Sequence, residues 1–197
     1  MIDLLLNLLP EKSNFLNLFS YLTTRTILAT LTGLMMVLFL GETFIKKIRL
    51  LQFQQSIGDR GPDSHKSKDG TPTMGGLLII GSVILSGFLW GDLANKYLLL
   101  SIFCLFMFAL IGFADDYNKI KHKNQEGISG KSKIFWQFIC ACIISVVLYT
   151  TAENKIETSY IVPFFKDVVL DFGIWFIFIS IFIIIGSSNA VNLTDGL

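Results

Sequence analysis

Long apolar runs alternate with short polar stretches along the chain, at about Tyr21 to Ile45, Met74 to Trp90, Tyr97 to Ala114, Ile134 to Thr150 and Val168 to Ser187. A helix needs about 20 apolar residues to cross a bilayer core, so the first run is ample and several of the others sit at the short end of the range. In lipid every backbone polar group must be satisfied within the segment, and no run shows the alternating polar face of a barrel strand. All five are therefore expected to be helices. The pattern predicts an all-α, polytopic integral membrane domain over residues 21–197, with about five transmembrane helices. Residues 1–20 mix Leu4, Leu5, Leu8, Leu9, Phe15, Leu16 and Phe19 with polar residues and are interrupted by Pro10. That segment is too polar to span, and predicts a short amphipathic piece lying along the interface. It has neither the basic start nor the small-residue cleavage site of a secretory signal. Arg25, near the start of the first run, is placed to snorkel to the interface.

Composition agrees with this class. Hydrophobic residues make up 52% of the chain, and charge is confined to a few short stretches, the signature of a membrane protein rather than a soluble domain. The 18 Phe residues fall mostly within the apolar runs. Cys104, Cys140 and Cys142 also lie inside apolar runs and show neither a disulfide framework nor metal-ligand spacing.

The net charge of +1 is uninformative by itself, because in a membrane protein charge counts loop by loop. Lys46, Lys47, Arg49, Arg60, Lys66 and Lys68 follow the first run, and Lys119, Lys121, Lys123, Lys131 and Lys133 follow the third. The intervening stretches hold only Lys96, or Lys155 and Lys166 balanced by acids. The positive-inside rule thus predicts residues 46–73 and 115–133 as cytoplasmic loops, with the N-terminus outside. Counting crossings puts 188–197 in the cytoplasm too. Three unusual polar stretches then share one membrane face, as a composite active site requires.

The most informative of the three is the pair Asp115 and Asp116, at the end of an apolar run where bare charge is costly. One reading is a helix end facing headgroup water. The other is a functional acid pair. Carboxylates at a helix C-terminus also oppose the macrodipole, so a local cation is the obvious remedy. Successive helical side chains point about 100° apart, so both acids can share one small ion only if the helix ends or unwinds there. Otherwise one binds a metal while its neighbour serves as a base or supporting group.

The stretch from Gly58 to Gly76 combines cations, hydroxyls and glycines just before a helix. Glycines admit a ligand to the backbone, the N–H groups of the following helix favour an anion such as phosphate, and Lys68 adds a point charge. A flexible turn obeying the orientation rule would look similar. His65 and His122 have no partner at ligand spacing and read as solvated residues. In the last stretch Asn189, Asn192 and Asp195 stand at i, i+3 and i+6, within about a third of a helix circumference. Two amides and a carboxylate on one face suit a polar ligand, with a metal as a second possibility and an amphipathic helix end as the plain alternative.

Asp115-Asp116-Tyr, Gly70-Thr-Pro-Thr-Met-Gly-Gly76 and Asn189-Ala-Val-Asn-Leu-Thr-Asp-Gly-Leu197, in this order and at these intervals, resemble the phospho-N-acetylmuramoyl-pentapeptide-transferase family. It is a branch of the polyprenyl-phosphate N-acetylhexosamine-1-phosphate transferase superfamily. The paired Asp is shared across the superfamily, whereas the Gly-Thr-Pro-Thr-Met-Gly-Gly stretch favours the muramoyl branch. The resemblance extends from about residue 20 onward.

It implies transfer of phospho-MurNAc-pentapeptide from UDP-MurNAc-pentapeptide to undecaprenyl phosphate in the bacterial cytoplasmic membrane. The products are UMP and lipid I, the first lipid intermediate of peptidoglycan synthesis, and Mg²⁺ is required. By similarity Asp115 and Asp116 serve the lipid phosphate and metal region, one of them as a base, while Lys68, Thr73, Lys131, Asn192 and Asp195, with Asn189 less securely, meet the donor's uridine and diphosphate. A covalent phospho-aspartate route is open as well. A homodimer is implied, and nucleic acid is not among the partners. In the family the last motif continues into a second Asp-Gly, and later helices bring a principal Mg²⁺ ligand and a His-rich loop. This chain is therefore expected to be roughly the N-terminal half of such an enzyme, inactive alone. Two rivals are a sibling transferase with another UDP-sugar and a cation transporter using the acid pair. The transporter fits less well, because the helix centres are apolar and the acids lie at one face.

Overall fold

The computed structural model describes residues 16–50, 74–122, 127–162, 164 and 169–195. Lys68, Thr73, His65 and most of the 1–20 segment lie outside the described residues. Five helices dominate: α1 (Leu22–Leu50), α2 (Gly76–Trp90), α3 (Lys96–His122), α4 (Gly130–Thr150) and α5 (Trp175–Asp195). A 3-10 turn, Leu16–Ser20, precedes α1. The all-α expectation holds, with one addition: a small antiparallel hairpin of β1 (Ser159–Ile161) and β2 (Val169–Asp171) between α4 and α5.

Helices α1, α3, α4 and α5 are long and apolar enough to cross a membrane. Helix α2 has only 15 residues, about 22 Å at 1.5 Å per residue, shorter than a full hydrocarbon core. Large apolar side chains point outward throughout: Leu38 is 64% exposed, Phe39 72% and Phe182 78%. Water would not tolerate such a surface. Lipid does.

The chain forms two compact units, Met1–Ile128 and Ser129–Leu197. In the first, α1 and α2 meet through small residues. A β-carbon at Gly33 would stand 3.3 Å from Ser86 Oγ, and Ser82 and Ser86 are buried, the close approach that packs helices where no water drives them together. Trp90 Nε1 donates to Thr32 Oγ1 at 3.0 Å, and the Trp90 ring stacks on Phe19. Gly91 ends α2 by donating its N–H to Gly87 O. Asn95 starts α3, its Oδ1 accepting the N–H groups of Tyr97 and Leu98, the capping for which Asn is suited.

In the second unit α4 and α5 run antiparallel around Gln137, Cys140, Ala141, Ile144, Ser145, Phe176 and Ile181, all buried. The hairpin rests on this pair through Tyr160, whose ring contacts Phe172 and Phe176 and whose hydroxyl lies 3.2 Å from Ser180 Oγ.

Two expectations are corrected. The apolar run from Val168 to Ser187 is not one helix: Val169–Asp171 form β2, and α5 begins only at Trp175. Asp171 and Gly173 cause the break. Asp171 Oδ1 accepts the Gly173 N–H at 2.9 Å, and Gly173 takes φ +50°, a left-handed turn that glycine adopts without penalty. Nor does α3 end at the acid pair, for it continues unbroken to His122. Lys119 supports this extension, standing one turn beyond both acids. The basic segments expected as loops are thus partly helical, since α1 likewise continues to Leu50 with Lys47 and Arg49 in its last turn, where cations suit the helix dipole.

Candidate functional site

Asp115 and Asp116 are successive residues of an intact helix, so their side chains diverge by about 100°. The divergence gives them different surroundings. Asp115 is nearly enclosed, with its side chain 11% exposed, whereas that of Asp116 is 36% exposed. Lys119 Nζ lies 2.8 Å from Asp115 Oδ2 and 3.8 Å from Asp116 Oδ1. The cation expected beside the pair is therefore a residue of the same helix, at i+4 and i+3. The other oxygen of Asp115 accepts the backbone N–H of Ile128 at 2.9 Å, bringing the chain beyond α3 back onto the helix. Gly127 makes this return with φ +57°.

Carboxylate oxygens are the ligands a hard cation such as Mg²⁺ prefers, and Mg²⁺ is commonly held by one or two carboxylates, water and substrate phosphate. The acid pair meets that requirement in kind, with Asp116 the more open donor. Among the described residues no group of three or more His, Cys, Asp or Glu stands together.

In the second unit, Lys131 lies in the first turn of α4 and is exposed. Ser129 caps this helix, its Oγ accepting the Ser132 N–H. Asn189, Asn192 and Asp195 all fall on α5, so the helical spacing expected of them is present. Because α4 and α5 are antiparallel, Lys131 and the Asn192–Asp195 segment come to the same end of this helix pair. Asn189 is drawn into the packing. Its Nδ2 donates to Gln137 Oε1 at 2.7 Å and to Ile185 O at 2.9 Å. Asn192 is exposed.

The sequence pattern of glycosyl transferase family 4 matches residues 98–197, just over half the chain, spanning α3 with its acid pair through to the end of α5. The chain belongs to that family. Phospho-N-acetylmuramoyl-pentapeptide-transferase signature 1 matches residues 68–80 as well, so the resemblance drawn from the motifs is borne out. Membership of glycosyl transferase family 4 makes this a phospho-sugar transferase of the type that uses a polyprenyl phosphate.

Sequence reasoning missed four residues of this family member that the structure brings forward: Lys119, Gly127, Ile128 and Gln137. Lys119 was legible from its i+3 and i+4 spacing to the acids. Gln137 was legible as a lone amide in an apolar run, which in a membrane calls for a partner. Nothing local points from Gly127 or Ile128 to Asp115.

Proposed function

We propose that this chain carries part of the active site for transfer of phospho-MurNAc-pentapeptide from UDP-MurNAc-pentapeptide to undecaprenyl phosphate, at the cytoplasmic face of a bacterial cytoplasmic membrane. The observation that carries the reading is the muramoyl-branch signature over residues 68–80, on the same chain as the Asp115-Asp116 pair. A sibling transferase would share the pair but has no comparable claim on the signature.

Phosphoryl transfer asks little covalent chemistry of a protein and much positioning and charge neutralisation. On an unbroken helix the two acids do not share one small ion, so Asp116, the more open carboxylate, is the one suited to hold Mg²⁺ and Asp115 is left as the base or supporting group. When bound, the metal neutralises charge developing on the diphosphate. Asp115, fixed by Lys119 and Ile128, presents a carboxylate of set direction toward the acceptor, where one acid of the pair takes the proton of the lipid phosphate. Lys68, Thr73, Lys131, Asn192 and Asp195 are assigned to the donor's uridine and diphosphate, Lys68 and Lys131 as point charges. Asn189 acts chiefly through Gln137, holding α4 and α5 in register.

The experiment is UMP release from UDP-MurNAc-pentapeptide with undecaprenyl phosphate and Mg²⁺, by the full protein as the cell makes it. Asp115→Asn and Asp116→Asn should each lower the rate at least about a hundredfold, in line with loss of a general base or metal ligand. Full rates in both variants would sink the catalytic assignment, and a preference for another UDP-sugar would point to a sibling enzyme.

A further inference from the structure

We propose that the turn at Gly127 and Ile128 is a positioning device for Asp115, and that Gly127 must be glycine for it to form. The role in catalysis rests on the transferase reading above. The clasp itself rests on geometry alone.

Asp115 sits in mid-helix, where its side chain could choose between rotamers. Here its oxygens are held from two directions. Lys119 on the same helix takes Oδ2 at 2.8 Å, and the Ile128 N–H takes Oδ1 at 2.9 Å. Both are charge-assisted bonds, and turning the carboxylate away breaks both together.

Gly127 permits the second bond in two separate ways. Its φ of +57° is the left-handed conformation that side chains disfavour. A β-carbon there would also overlap Asp115 Oδ1 and lie 2.8 Å from Lys119 Cε. Any side chain at 127 therefore displaces Asp115 Oδ1, the oxygen that the Ile128 N–H holds, or the Lys119 stem beside it. Gly173 supplies the contrast, for its φ is +50° but a β-carbon would meet nothing within 4 Å. Replacing it reproduces the conformational strain without the collision. If the turn acts through Asp115, the two glycines must differ in their effect on the reaction.

The test uses the full protein as the cell makes it, in lipid nanodiscs, as wild type and as G127A, G173A, D115A and D116A. Hydrogen exchange at the Ile128 amide reads the clasp directly. Exchange should be slow in wild type and D116A and about tenfold or more faster in D115A and G127A, because a lost hydrogen bond opens the turn locally. In UMP release, G127A should lower kcat about tenfold or more while KM for the UDP-sugar stays within about twofold, as a misplaced catalytic group rather than a lost substrate contact demands. G173A should leave both parameters unchanged.

Equal Ile128 exchange in wild type and D115A overturns the clasp, and that comparison keeps Gly127 in place, so it does not depend on G127A folding. A lost clasp in G127A with unchanged kcat overturns the positioning role. Wild-type protein that shows the exchange pattern yet releases no UMP overturns the transferase reading, and the catalytic role of Gly127 with it, while the clasp stands.

Discussion

The side-chain amide of Asn189 donates to Gln137 Oε1 across the α4–α5 interface at 2.7 Å. Gln137 is 2% exposed, so neither water nor lipid headgroup can replace that donor. Removing Asn189 should strand Gln137 Oε1, whereas removing Gln137 leaves Asn189 only its bond to Ile185 O. Asn189→Ala and Gln137→Ala are each expected to destabilise the second unit by about 1 kcal/mol, the scale of hydrogen bonds between membrane helices. The double variant should cost clearly less than the sum, since the two act as one unit. Unfolding in mixed micelles of lipid and detergent measures the cycle. Strict additivity would show that the contact contributes nothing to stability.

Ser145 presents the opposite case. It is wholly buried in α4, and its Oγ makes no hydrogen bond among the described residues. A buried hydroxyl without a partner carries a desolvation cost of about 1–3 kcal/mol. Ser145→Ala should accordingly leave stability unchanged or raise it, whereas Ser145→Val should lower it by overfilling the α4–α5 contact. Unfolding midpoints of the two variants check this, and a marked loss in the alanine variant would reveal a partner for Oγ.

Lys119 is expected to matter for geometry as well as charge. Lys119→Met removes the cation shared by Asp115 and Asp116 and should reduce UMP release about tenfold or more, a barrier increase of about 1.4 kcal/mol. Lys119→Arg keeps the charge but places a planar fork where a compact ammonium sits, so it should recover activity only in part. Equal activity of the Met variant and wild type would exclude Lys119 from the site.

Most of the fold was legible because apolar runs long enough to cross a bilayer leave the backbone no choice but helix. What failed to show was where helices begin and end. The run from Val168 hid a hairpin because Val169, Leu170 and Phe172 are as apolar as a helix start, and only Asp171 and Gly173 signalled the turn. At the acid pair the run ended but the helix did not, since Lys119 one turn on pairs with both carboxylates and adds helix support that hydropathy does not show. Of the candidate site, the acid pair stood out in the sequence because charge at a membrane boundary is conspicuous. The Gly127–Ile128 turn was not, because its meaning arises only when the chain folds back on α3.

Helix α3 joins its apolar run to the acid pair without a break. The two carboxylates are consequently carried on a rigid rod, whose depth is set by how the apolar part matches the thickness of the surrounding lipid. A thicker bilayer draws the rod inward or straightens its tilt, and a thinner one tips it over, so the acids shift relative to the headgroup plane, where the proposed acceptor would present its phosphate. Turnover should therefore pass through an optimum as acyl length is varied in reconstituted vesicles. A kinked or hinged helix would show a flat response.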